Sequence, residues 1–166
     1  MLSDLYIDFS NKTFMKNKTL PSIINVIVLC VVVFTVSAFF VYDKKLIGFV
    51  LIGLGILSLL SLAPFGVKVK SLKPDILFGL IDNGVLAIMA VFGGYIAGVA
   101  GAIIGGVVGN ALTDALAGIF EGYSAEKMRA HNYKEERTII SSSVGKMAGC
   151  LFGAGIVLVV MMLLGF

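Results

Sequence analysis

The sequence predicts an all-α integral membrane bundle of about five transmembrane helices, with the N-terminus in the cytoplasm and the C-terminus outside. Three observations carry this. Of 166 residues 58% are hydrophobic and 14% charged, against roughly a quarter charged in ordinary soluble domains. The apolar residues fall into runs of about 20 or more, the length that crosses a hydrocarbon core. The basic residues cluster between those runs. So short and apolar a chain predicts one membrane domain and no separate soluble one.

The first predicted span is Leu20–Tyr42, 23 residues opening at Leu20-Pro21. Its basic flank and Val36-Ser37-Ala38 triplet resemble a signal peptide. The run exceeds the roughly 7–15 residues of a signal-peptide apolar region, so it is expected to stay as an anchor. Leu46–Val67 is the second span. The short Asp43-Lys44-Lys45 link makes the two an antiparallel hairpin, 20–67, rich in Val, Leu, Ile and Phe and expected to be a lipid-facing cover.

Ile76–Phe120 holds 45 residues without Lys or Arg. That is about right for two spans folded back near Gly98-Val99-Ala100-Gly101. Pro74 and Asp75 read as helix-opening residues. The resulting Gly-rich, acidic hairpin occupies 74–124. A polar cytoplasmic connection follows at 125–141, with Ser141-Ser142-Ser143 as caps, and the last span covers 142–166. Segments on the N-terminal side carry ten Lys or Arg and those opposite carry two, with Lys146 left at the start of the last helix. That asymmetry sets the orientation. It leaves the 1–19 tail, with sequons at Asn11 and Asn17, in the cytoplasm and unmodified.

Glycines step by three and four residues at Gly94, Gly98, Gly101, Gly105 and Gly109, and again at Gly145, Gly149 and Gly153. Such faces let helix backbones approach closely in lipid. They predict an inner bundle of the last three helices, or packing between copies of the chain.

The intramembrane acids are the candidate functional residues, because a carboxylate in the bilayer is costly. They are Asp82, Asp114 and Glu121, with Asn83 and Asn110 as polar neighbours. Asn110, Asp114 and Glu121 share a helical face. A fold near Val99 puts Asp82 and Asp114 within about 3 Å in depth, so the two are expected to face each other. Facing carboxylates can bind a cation through oxygen or share a proton. They can also satisfy freed backbone or fix helix pairing. No Lys or Arg is expected at their depth.

Other residues read as inert. Cys30 and Cys150 lack metal or redox spacing, His131 stands alone, and the methionines fill space. Motifs of hydrolases, phosphate loops and haem or iron–sulfur sites are missing, so no enzyme is expected. Nor is there the basic face that nucleic acid needs.

Residues 74–137 resemble the first helical pair of the vacuolar iron transporter family. Ile76-Leu77-Phe78-Gly79-Leu80-Ile81-Asp82-Asn83-Gly84-Val85 is similar to its Phe-Gly-x-x-Asp-Gly opening helix. Gly109–Lys127 is similar to its second helix, with Glu121-Gly122-Tyr123 one residue out of step with Gly-Glu-Tyr. The resemblance implies Asp82 as the intramembrane aspartate, Glu121 as the glutamate at the cytoplasmic mouth, and a divalent cation. This chain differs in having two helices before the pair and one after it. The sequence therefore predicts a small cation transporter, metal or proton-coupled, working as a homo-oligomer. The alternative is an accessory subunit of a membrane complex. Either sits in the cell membrane or an organellar one.

Overall fold

The structure is a computed structural model. It describes residues 2–43, 45–67, 69–131 and 138–165, with side chains over 19–43, 45–67, 71–119, 122–123, 126 and 138–165. Among these residues the chain is helical: α1 (Leu2–Phe40), α2 (Ile47–Leu60), a 3-10 turn (Ala63–Phe65), α3 (Val69–His131) and α4 (Ile139–Leu163). Four helical stretches are long and apolar enough to cross a membrane: Thr19–Phe40, Ile47–Phe65, Ser71–Ile119 and Ile139–Leu163.

The helix starts differ from expectation. Leu20-Pro21 does not open α1, which begins at Leu2 and carries Pro21 inside. Likewise α3 begins at Val69, leaving Pro74 inside and Asp75 beyond the first turn. The missing proline N–H removes one backbone bond, and in both cases the helix continues through it. Between α1 and α2 the Asp43 carboxylate accepts the backbone N–H groups of Lys45 and Leu46 at 3.1 and 3.2 Å. This is a side-chain turn that closes the link.

The long helix α3 is two arms. Its helical path breaks at Ala97 (φ −134°, ψ 24°) and Gly98 (φ 60°, ψ −140°). Gly98 takes a backbone that L side chains avoid, so it makes the turn and is not a packing residue. From there the second arm returns along the first: Gly101 meets Gly93, Gly105 meets Met89, and Gly109 meets Leu86. A Cβ on Gly109 would stand 2.9 Å from the Leu86 Cα. Gly93 faces the partner arm, while a Cβ on Gly94 would stand 3.4 Å from the Ala102 methyl.

The central element is α4. One face runs parallel to the first arm of α3, Gly145 against Asp75, Gly149 against Ile76 and Gly153 against Leu80 and Gly84. Another face runs antiparallel to α2: Gly155 meets Gly48 and Ile52, while Phe152 fills the space beside Gly55. The hairpin of α1 and α2 is therefore not a uniform cover. Its second helix packs into the bundle through glycines seven residues apart, a spacing that leaves no four-residue step to read.

By contrast α1 exposes Ile23, Ile24, Ile27, Val28, Val31 and Phe34. It joins the bundle through Leu29, which packs with Leu62, Leu72, Ile140 and Val144. Next to this cluster the Asn25 amide donates to the Ser61 hydroxyl at 3.1 Å. Hydrogen bonds between helices are the favourable way to place polar groups in a low-dielectric interior.

Candidate functional site

The acids sit at one end of the folded helix. Asp82 and Asp114 each lie 16 residues from Gly98, about 24 Å along their arms.

Equal depth does not bring them face to face. The partner of Asp82 across the hairpin is Thr113, whose hydroxyl donates to the Asp82 carboxylate. The same hydroxyl lies 3.1 and 3.0 Å from the carbonyls of Gly109 and Asn110. Those carbonyls belong to its own arm and are alternative acceptors for its single proton; donated to Asp82, that proton ties the two arms together. Asp114 is exposed on the outer side and accepts the Asn110 amide at 2.8 Å. The physical reason is rotation: a helix turns about 100° per residue. The buried stripe Gly101, Gly105, Gly109, Thr113 and Ala117 fixes which residues point inward. Asn83 is half-buried beside Asp82. The side chains of Glu121, His131 and the tail asparagines lie outside the described residues.

Two residues not counted among the candidates complete the site. Asp75 is 1% exposed, pressed between α3 and α4. The Ser142 hydroxyl donates to it at 3.1 Å, and a Cβ on Gly145 would come within 2.9 Å of the Asp75 Cβ. Lys146 lies two turns into α4, where its ammonium sits 4.8 Å from the centre of the Phe78 ring. Parallel packing of α4 on α3 brings Lys146 to the level of Phe78, one turn from Asp82.

The sequence held a signal for both. Leu72, Asp75, Ile76 and Gly79 continue the inward spacing of α3, and Ser142, Lys146 and Cys150 run beside the glycine face of α4. A Cβ on Gly79 would lie 2.7 Å from the Cys150 nitrogen. The thiols are free, Cys150 half-buried in this seam and Cys30 exposed on α1. Among the described residues no three His, Cys, Asp or Glu side chains gather to hold a metal ion.

The α4 N-terminus is locked in place beside Asp75. Thr138 and Ser141 form a reciprocal cap, the Thr138 hydroxyl accepting the Ser141 N–H at 3.2 Å and the Ser141 hydroxyl accepting the Thr138 N–H at 2.9 Å. Such a cap satisfies two backbone donors that a helix start leaves open.

Compared with models of protein families, with curated proteins and with solved structures, the chain matches none.

Proposed function

We propose that the chain is a small, non-enzymatic cation transporter of the membrane, proton-coupled or metal-transporting, with its ion site at Asp82. The observation that carries this reading is a carboxylate held between two apolar arms, about 24 Å from their turn, on the hydroxyl of Thr113. That carboxylate is half-buried and not on the outer surface of the arms, and the Asp75–Ser142 contact lies two turns further from Gly98 on the same helix. The resemblance of 74–137 to vacuolar iron transporters supports the same assignment and adds a divalent ion as candidate cargo.

In this reading the two arms of α3 are separate spans, which makes five. The first arm and α4 run parallel and α2 runs antiparallel to α4, as alternating crossings require. Lys and Arg counts favour a cytoplasmic N-terminus. The test is flux into liposomes carrying the purified chain. Asp82→Asn should abolish proton or divalent-metal movement while the protein stays monodisperse. Flux equal to the unaltered chain sinks the reading.

A second reading, an accessory subunit of a larger membrane complex, is favoured by the outer side of the second arm. There Gly118 and Gly122 have nothing within 4 Å of an added Cβ, next to the exposed Asn110–Asp114 pair. Small residues of this kind admit a partner helix. Extraction in mild detergent separates the two, since a subunit copurifies with fixed partners in constant ratio.

A further inference from the structure

The four-residue glycine steps of α3 and α4 are used within the chain. Gly101, Gly105 and Gly109 meet the first arm, and Gly145, Gly149 and Gly153 meet α3. Gly118 and Gly122 have the same step, yet nothing lies within 4 Å of a Cβ added to either. They end a stripe, Ala102, Gly106, Asn110, Asp114, Gly118 and Gly122, that follows the second arm at every fourth residue. Its first three members are half-buried and its last three are exposed. The stripe holds no large apolar residue, whereas a neighbouring one, Ile104, Val108, Leu112 and Leu116, is exposed and large and apolar throughout. The second kind of surface suits lipid and the first does not.

The polar members say what covers it. The Asn110 amide gives one N–H to the Asp114 carboxyl at 2.8 Å, in an exposed contact. An amide has two N–H donors and a carboxyl two oxygens, so this contact uses one donor and one oxygen of the pair. Both residues lie within Ser71–Ile119, a stretch apolar enough to cross a membrane. In hydrocarbon such groups are costly unless another chain bonds them. Across a two-fold axis, residue i of one copy meets residue j of the other and j meets i. The second N–H of each Asn110 is then set against the second oxygen of Asp114 in the other copy. The two pairs close a ring of hydrogen bonds. A different protein would need its own donor and acceptor at this spacing, and a second copy brings them.

We infer that a second copy of this chain docks on the stripe. The two second arms pack side by side through Gly118 and Gly122, with the Asn110–Asp114 pairs bonded across the contact. Glycines four residues apart let helix backbones approach in lipid. The inference rests on the second arm lying in the membrane, as the proposed five spans require, and not on Asp82 carrying an ion. The contact forms where two chains share a bilayer, so a micelle holding one chain leaves Gly118 open.

The experiment is energy transfer between donor- and acceptor-labelled full chains, dyed at an appended C-terminal tag, in liposomes of increasing lipid-to-protein ratio. The unaltered chain should show transfer that falls on dilution as that of a dimer does. Gly118→Leu combined with Gly122→Leu, and Asn110→Leu alone, should each weaken association at least tenfold. Leu112→Ala, on the neighbouring stripe, should leave it within twofold. Because the space beside Gly118 and Gly122 is open in the single chain, the double variant should keep its helicity by circular dichroism, so lost transfer is not lost folding. Absence of transfer at every ratio overturns the inference, as does association within twofold in both variants. So does a different protein that copurifies in fixed ratio with a chain that does not pair with itself, which gives the face to another subunit. Failure of the span count is read separately, by an impermeant maleimide reaching cysteines at Val99 and Lys73 from one side only. The transfer result still decides the pairing.

Discussion

Replacing Gly149 by alanine tests whether close backbone approach holds α4 to α3. At Gly149 an added methyl would meet the carbonyl of Ile76 and stand 2.9 Å from its Cα. These are backbone atoms, which cannot rotate aside as the end of a side chain can. The helices must part, and such overpacking costs about 1–3 kcal/mol. Against this, alanine gains up to ~1 kcal/mol over glycine in helix propensity. With the full gain the net is a loss of up to about 2 kcal/mol. Gly118→Ala is the control, because nothing lies within 4 Å of its added Cβ and only the propensity gain of up to ~1 kcal/mol applies. Unfolding of purified variants in mixed micelles, titrated with dodecyl sulfate and followed by circular dichroism, gives both values. Gly149→Ala should fall below the unaltered chain and Gly118→Ala should match or exceed it. If Gly149→Ala is as stable as Gly118→Ala, the α3–α4 interface is not set by backbone contact and the packing argument is wrong.

Further outcomes follow from single positions. Gly98→Ala should cost about 1–3 kcal/mol, because φ is 60° at Gly98 while the space around it is open; the same titration reads it, and a neutral result removes the strain argument. Thr138→Ala should lose about 1 kcal/mol as the reciprocal cap with Ser141 is broken, visible as a lower unfolding midpoint, whereas Thr138→Ser should retain the cap and the midpoint. If the arms of α3 are full spans, cysteines placed at Val99 and at Lys73 should react with an impermeant maleimide from opposite sides of a sealed vesicle; reaction from one side only would contradict five crossings.

Axial position was legible in the sequence and rotation was less so. Runs of apolar residues and the charged links between them mark where spans begin and end, and counting back from a fold near Val99 placed Asp82 and Asp114 at equal depth. Which faces meet depends on the interface. Gly101, Gly105 and Gly109 step by four, and continuing that step reaches Thr113 and Ala117, not Asp114. The signal for the Asp82 partner is therefore present in the four-residue step, one position before the more conspicuous acid. Following Pro74, Asp75 carries the sequence pattern of a helix opening. The helix begins at Val69, and packing on α4 turns that residue into the most buried acid among the described side chains. The part played by α2 was hidden for another reason. Its contacts at Gly48 and Gly55 are complemented by a side chain, Phe152, and by a single glycine, Gly155, so neither helix shows a repeat that pairs them.

The glycine contacts set what can lie on the seam. At Ile76, Gly79, Leu80 and Gly84 the backbones of α3 and α4 come together with no side chain between them. At the Asp75 end the added Cβ of Gly145 would meet the Asp75 side chain at 2.9 Å instead of backbone, so there the contact is made by a carboxyl side chain bonded to the Ser142 hydroxyl. Asp82 lies deeper, but on the side turned to the second arm, where a threonine takes the place of the next glycine in the stripe. Substituting Thr113 by glycine would extend the close-packed stripe and strip Asp82 of its hydroxyl partner. Substituting it by serine would keep that partner. If the hydroxyl, and not the tightness of the arms, is what the ion site needs, Thr113→Ser should retain the flux that Thr113→Gly and Thr113→Val both lose. Equal flux from serine and valine variants would show that Asp82 works without Thr113.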